Sequence, residues 1–338
     1  MFLGRSAFSL TPPLRRCASA QSSLSTLEDL CSVDLSEIEQ AKRLIKLVNV
    51  HHVFNLNALS SYPSLEPSII KLYSSTAQRI QDLLESPTLL PRNNANDRKT
   101  VRNVVKDVLT RHSTAGSTIE WLYDYASERM SEGNSLPDVS AVLSRHFTIT
   151  LLCDHYVGST DPIVPRGAVK RASSVLDLIT DVRDEALFAS AVAFPDSAID
   201  ISIPDDDPDG LPSAFYVIPS WFRYVLMELV KNAVSASRGA LVETAVTDGK
   251  LVVTVRDSGP GLSSAREVFA FGHASRRKYD RLDVQTSYAM PPSDPLSGVG
   301  VGLALSKIIA NKYGGDVTVV NNTPGEGGGA TAALSITL

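Results

Sequence analysis

Residues 227–233 read Met-Glu-Leu-Val-Lys-Asn-Ala. They lie inside a longer stretch, Ser220 to Arg238, whose apolar positions Val225, Leu226, Leu229 and Val230 recur at helical spacing and predict one amphipathic helix. Glu228 and Asn232 stand four residues apart, so that helix stacks them on a single face, aimed together at whatever lies beside it. A carboxylate can accept the proton of an attacking hydroxyl, and an amide oxygen is a hard, neutral ligand suited to a magnesium ion riding on a triphosphate. Any solvated helix face can carry such a pair. The weight therefore falls on what surrounds it.

Downstream, two strands are predicted, Ala240 to Thr247 and Lys250 to Asp257, the second alternating through Leu251 to Val255 and ending in Val255-Arg256-Asp257-Ser258-Gly259-Pro260-Gly261. The bland reading of DSGPG is a turn that ends a strand. The functional one has Asp257 accepting a hydrogen bond from an adenine exocyclic amine, with Gly259 and Gly261 letting backbone come close to the nucleotide. Further on, Gly298-Val299-Gly300-Val301-Gly302-Leu303 opens a predicted helix, Leu303 to Tyr313, which Gly314-Gly315 closes. Glycines ahead of a helix N-terminus expose amides and the positive end of the dipole to phosphate. A dinucleotide fingerprint would need a strand directly before these glycines, and a polar loop, Gly272 to Ser297, stands there instead. Such a loop suits a lid over a nucleotide. Final strands are predicted over Asp316 to Asn321 and Ala330 to Leu338, around the glycine-rich GEGGGATAALSITL.

Upstream the pattern differs. A helix is predicted over Val169 to Ala189 and a short alternating stretch over Ala198 to Ile203, followed by Asp205 to Gly210, DDDPDG, whose spacing matches no calcium loop and reads as a solvated turn. From about Leu27 to His155 helical periodicity dominates, with segments near Glu37 to Val48, Ile69 to Leu84, Val101 to Ala126 and Val139 to Tyr156. These predict a four-helix bundle. Gly158 to Arg166, with Pro162 and Pro165, marks the linker. The expected organisation is a segment 1–25, a helical domain 26–160 and an α+β sandwich 161–338.

The first residues carry Arg5, Arg15 and Arg16, many Ser and Ala, and no acid before Glu28, the composition of a mitochondrial transit peptide. A formal charge of −5 over 338 residues, without a basic tract, argues against nucleic acid as a partner. No apolar run reaches the roughly 18 residues that a membrane-spanning helix needs. Cys17, Cys31 and Cys153 lack metal-type spacing and suggest neither zinc nor a disulfide framework.

Three motifs in fixed order, ELVKN, DSGPG and GVGVGL, are far more specific than any one of them. On these residues Ile218 to Leu338 resembles the ATP-binding domain of the GHKL superfamily (gyrase, Hsp90, MutL, histidine kinases). The resemblance implies that Asn232 binds Mg2+, Asp257 binds adenine, and Gly298, Gly300 and Gly302 wrap the phosphates, with Leu303 also at the cofactor site. It assigns Thr331, in the last glycine box, to the same ATP site. The helical half, through LTRHSTAGSTIEWLYDYASE at 109–128 and LSRHFTITLLCDH at 143–155, is similar to the mitochondrial kinases of pyruvate and branched-chain 2-oxoacid dehydrogenase complexes. That resemblance implies a matrix serine kinase acting on the E1 alpha subunit and inhibiting it, with Glu228 as base and Lys231 near the phosphates. It also implies a homodimer, docking on a lipoyl domain of E2, and an organic-acid pocket at His112 and Arg145.

The chain departs from the pattern at three places. Tyr224 stands where pyruvate-type kinases have His, which favours the branched-chain type; Ala304 stands where the family has Pro; Ile149 stands where a second pocket Arg is expected. A histidine kinase remains an alternative, although His112 lacks the acidic neighbour of a phospho-acceptor. So does an ATP-binding regulatory subunit without catalysis.

Overall fold

A computed structural model describes scattered helical residues between 48 and 106, and then residues 139–159, 170–263, 267–269, 302–312, 314–323 and 328–338. The chain divides into two compact units, residues 1–114 with 145–167, and residues 115–144 with 168–338.

The described part of the first unit is helical throughout. Helix α1 (Val139–Ser159), of which residues 145–159 belong to this unit, buries Ile149, Cys153 and Tyr156 there. Val48, Val50, His51 and Asn55 are buried in it too. The Arg102 guanidinium donates to Val157 O at 3.4 Å, covering a carbonyl of the last turn of α1, one of those that no later amide of the helix satisfies. The predicted segments at 37–48, 69–84 and 101–126 fall almost wholly outside the described residues. Those residues of them that are described, such as Val48, Lys71 and Val105, are helical.

The second unit is an α+β layer structure. Five strands form one sheet in the order β2-β4-β5-β7-β6, comprising β2 (Asp200–Ser202), β4 (Gly239–Thr247), β5 (Lys250–Arg256), β6 (Asp316–Asn321) and β7 (Ala330–Thr337). Neighbours run antiparallel except β2, which lies parallel to β4. A separate antiparallel pair joins β1 (Lys170–Ala172) to β3 (Phe215–Val217). Register decides the core: Val242, Val255, Ala332 and Val319 align across the sheet, as do Thr244, Val253, Leu334 and Val317. Strand alternation puts both rows on one face, where Val242, Val253, Val255, Leu334 and Val317 are buried. The opposite face shows Leu241 and Val320 to solvent.

Three helices complete the described layer. Helix α3 (Pro219–Ser237) lies on β4, β5 and β7, helix α4 (Gly302–Lys312) on β6, β7 and α3, and helix α2 (Leu176–Ala193) on α3. Pro219 opens α3 at the position where a missing N–H costs nothing, and Arg238 closes it in the left-handed conformation with φ 63°. The acidic turn does more than its sequence suggested. Asp207 Oδ1 accepts from Val175 N at 2.8 Å and Leu176 N at 2.9 Å, capping α2 from more than thirty residues away.

The predicted helix at 169–189 is therefore a strand followed, after a short connection, by a helix. Its first residues pair with β3, a strand whose three residues the sequence did not separate from the loop before α3.

Candidate functional site

The face of α3 that carries Tyr224, Glu228, Asn232 and Ala236 is the one its core residues leave free, because Phe222, Val225, Leu226, Leu229, Val230, Ala233 and Val234 occupy the other side. Two points of this stripe each meet one glycine motif. At Ala236 the helix touches the DSGPG turn: a Cβ on Gly259 would stand 2.8 Å from Ala236 Cβ, so only glycine lets that turn lie so close. At Glu228 the stripe meets the start of α4: a Cβ on Gly302 would stand 2.8 Å from the carboxylate carbon and closer still to Oε2. Asn232 lies between them, exposed, its amide making no hydrogen bond among the described residues.

Glu228 is mostly buried, and its Oε1 lies 3.1 Å from Lys231 Nζ, an ion pair within one turn of the helix. Tyr224, one turn earlier, has its phenol pushed well above the ordinary value, first by burial and then by the charge of Glu228. The phenol stays neutral beside the carboxylate. Lys231 thus supplies the positive charge next to Glu228.

Asp257 is held by its surroundings on three sides. Its N–H donates to Ala330 O at 2.9 Å, and its Oδ1 accepts from Gly259 N at 2.8 Å and Ala330 N at 3.3 Å. Asn322 Nδ2 donates to Asp257 O at 3.1 Å and to Gly328 O at 2.8 Å. Gly329, at φ 85°, lies so near that a Cβ would stand 2.7 Å from the Asp257 carbonyl carbon. One carboxylate oxygen thereby fixes the turn, while Oδ2 makes no hydrogen bond among the described residues and stays available to a donor such as an exocyclic amine.

The remaining predicted residues take different places. Gly261, at φ 76°, makes way for the Asn321 side chain, whose Oδ1 accepts from Leu262 N at 2.6 Å and whose Nδ2 donates to Leu262 O at 3.0 Å. Both DSGPG glycines thus serve contacts within the protein. Thr331 bonds to Asn322 Oδ1 at 2.5 Å and reaches Asp257 only through that amide. Leu303 packs with Val268, Phe269, Val319 and Ala330 in an apolar cluster. Lys307 sits 4.5 Å from the Phe269 ring centroid and pairs with Asp316. Gly298, Gly300 and His112 lie outside the described residues. Arg145 places its guanidinium 5.1 Å from the Phe54 ring centroid.

Sequence reading missed Asn321 and Asn322, which bridge β6 to the two glycine turns. Two asparagines at the end of a strand, before a glycine-rich segment, are the available signal, since Asn side chains bond to nearby turn backbone.

Among the described residues, no group of three or more His, Cys, Asp or Glu is placed to hold a metal. Magnesium bound with a nucleotide needs few protein ligands, because phosphates and water supply most of its shell, and the exposed Asn232 amide beside Glu228 fits that need. The arrangement offers one carboxylate for a proton, one ammonium for phosphate charge, one amide for a hydrated cation and one carboxylate for a base edge.

Residues 218–338 match the family described as Histidine kinase-, DNA gyrase B-, and HSP90-like ATPase. A mitochondrial [pyruvate dehydrogenase (acetyl-transferring)] kinase of Arabidopsis thaliana is 24% identical over 289 residues, 80% of this chain and 76% of that protein. A probable kinase of the same description from Caenorhabditis elegans is 26% identical over 323 residues, 86% of this chain and 75% of that one. The adaptive-response sensory kinase SasA of Prochlorococcus marinus is 31% identical over 131 residues, 38% of this chain and 31% of its own. Residues 218–338 are thus an ATP-binding domain of the histidine kinase-, DNA gyrase B-, and HSP90-like ATPase type, and over most of its length the chain is similar to mitochondrial pyruvate dehydrogenase kinases.

Proposed function

We propose that this protein is an ATP-dependent protein kinase that phosphorylates serine on the E1 alpha subunit of a 2-oxoacid dehydrogenase complex, and so inhibits it. The observation that carries the proposal is the stripe on α3, which places the carboxylate of Glu228 and the amide of Asn232 between the two glycine motifs of an ATP-binding domain. Glu228 accepts the proton of the serine hydroxyl as that oxygen forms its bond to the γ-phosphorus and the bond to the bridging oxygen of ADP breaks. Lys231 offsets phosphate charge, Asp257 orients the adenine, and Asn232 holds the magnesium ion. Bound there, magnesium would neutralise phosphate charge. Most of the rate enhancement is positioning and charge neutralisation.

An imidazole is nucleophilic without help at neutral pH, whereas a serine hydroxyl gains from a positioned base, so Glu228 favours a hydroxyl acceptor over a histidine. The similarity to mitochondrial kinases and the arginine-rich, acid-poor first residues support action in the mitochondrial matrix after removal of residues 1–25. We further propose a helical bundle over 26–160 as the part that docks on the complex, including its lipoyl domain, and a homodimeric state.

Tyr224 tips the choice of complex towards the branched-chain type. Incubation with labelled ATP and the purified E1 components of both complexes tests this: acid-stable phosphoserine on the branched-chain alpha subunit is the expected product. Acid-labile phosphohistidine would point to a histidine kinase, and ATP binding with no transfer to a regulatory subunit.

A further inference from the structure

We infer that Gly302 is a positioning residue for Glu228, its missing side chain being the seat in which the carboxylate rests; the inference builds on the kinase reading above. Three restraints act on Glu228. Its backbone is fixed, because the neighbouring Leu229 and Val230 are fully buried in the layer beneath α3. Its Oε1 is drawn to Lys231 at 3.1 Å. Its carboxylate rests against the α-carbon of Gly302, where an added Cβ would stand 2.8 Å from Cδ and 3.3 Å from Cγ, and nearer still to Oε2.

The atoms in the way belong to the end of a flexible side chain. The cheapest response to a methyl group at 302 is for Glu228 to swing away, breaking its pair with Lys231 while leaving the backbone in place. Gly302 begins α4, where alanine is the better helix former, so the variant Gly302→Ala is expected to fold. The position is also in a glycine motif of the phosphate-binding kind, and a purely phosphate-contacting glycine would give a different result. Its loss would weaken nucleotide binding. Loss of a seat for the base would instead slow transfer with the nucleotide still bound.

The test uses the full chain with Gly302→Ala, Glu228→Gln and the double variant. Gly302→Ala is expected to bind ATP within about threefold of the parent while kcat falls roughly a hundredfold, the penalty of an ångström-scale misplacement of a reacting group. In the Glu228→Gln background it is expected to cost less than about twofold more, because the group it acts through is already removed. Glu228→Asp, one methylene shorter, should recover part of the lost rate when combined with Gly302→Ala. A crystal structure of Gly302→Ala, which needs no protein substrate, should show the carboxylate turned away from Lys231. If the carboxylate still rests on Lys231, or if ATP affinity falls in step with kcat and the losses multiply in the double variant, Gly302 has no positioning role. A parent protein that transfers phosphate to neither dehydrogenase overturns the kinase reading alone, and the crystal structure still decides the seat.

Discussion

Lys231 Nζ and Glu228 Oε1 face each other at 3.1 Å within a single turn of α3, and fewer than one-fifth of either side chain is exposed. In the reaction proposed above, a pair so placed would tie the charge that meets phosphate to the charge that meets the hydroxyl. Lys231→Met should therefore impair both ATP affinity and transfer by about ten- to a hundredfold, the scale of one charge-assisted hydrogen bond. Lys231→Arg should keep more of the affinity than of the rate, because its planar fork cannot reproduce a point charge at the same place. Direct ATP titration alongside steady-state kinetics separates the two effects. Unchanged affinity in Lys231→Met would remove Lys231 from the phosphate site.

Asp257 uses one carboxylate oxygen to hold its own turn and leaves the other open. In Asp257→Ala the N–H groups of Gly259 and Ala330 lose the Oδ1 acceptor, so both thermal stability and nucleotide binding should fall. Asp257→Asn can keep the Oδ1-type contacts but loses the charge, and should bind ATP at least about tenfold more weakly with a smaller drop in Tm. Calorimetric titration with ATP and a melting curve give the two readouts. Equal ATP affinity in both variants and the parent would exclude Asp257 from the base site.

Asp207→Ala removes a cap that reaches α2 from a distant turn. The expected loss is about 1–2 kcal/mol, a few degrees in Tm, with transfer by the folded fraction unchanged. Asp207→Asn should recover much of it, since an amide oxygen can accept the same bonds. A Tm unaffected by Asp207→Ala would mean that other groups cap α2.

Burial lowers the imidazole of His146 from 6.5 to about 4. The folded state therefore keeps His146 neutral over a range in which the unfolded chain takes up a proton, so stability drops as pH falls from about 6.5 to about 4 and the loss is complete below that. The full shift corresponds to a loss on the order of 3 kcal/mol. Denaturant midpoints for parent and His146→Gln across that range should diverge, the variant showing the shallower slope. Parallel slopes would rule His146 out as a source of acid sensitivity.

The sequence made α3 legible because its motif and its core lie on the same 19 residues: helical spacing alone placed Glu228 and Asn232 together and turned Leu229 and Val230 inward. The strand that ends in DSGPG was equally plain, since alternation marked Leu251, Val253 and Val255 as one buried face. What stayed hidden depends on partners far along the chain. Nothing near Asp207 shows that it caps a helix starting at 176, nothing near Gly302 shows that Glu228 rests upon it, and β1 and β3 are three-residue strands that exist by pairing with each other. Local periodicity records burial; it does not record which distant backbone comes close.

Strand β7 lies between β5 and β6, and its first residue meets Asp257 across a separation of 73 positions in the chain. Until that strand is inserted, β5 and β6 have no common neighbour, and the Asp257 turn lacks Ala330 and Gly329. A chain emerging from a ribosome can form α3 early, because its helical hydrogen bonds are local, but cannot complete the Asp257 turn until strand β7 arrives. Nucleotide capture would then report completion of the domain, and ATP would favour the finished fold over every shorter intermediate.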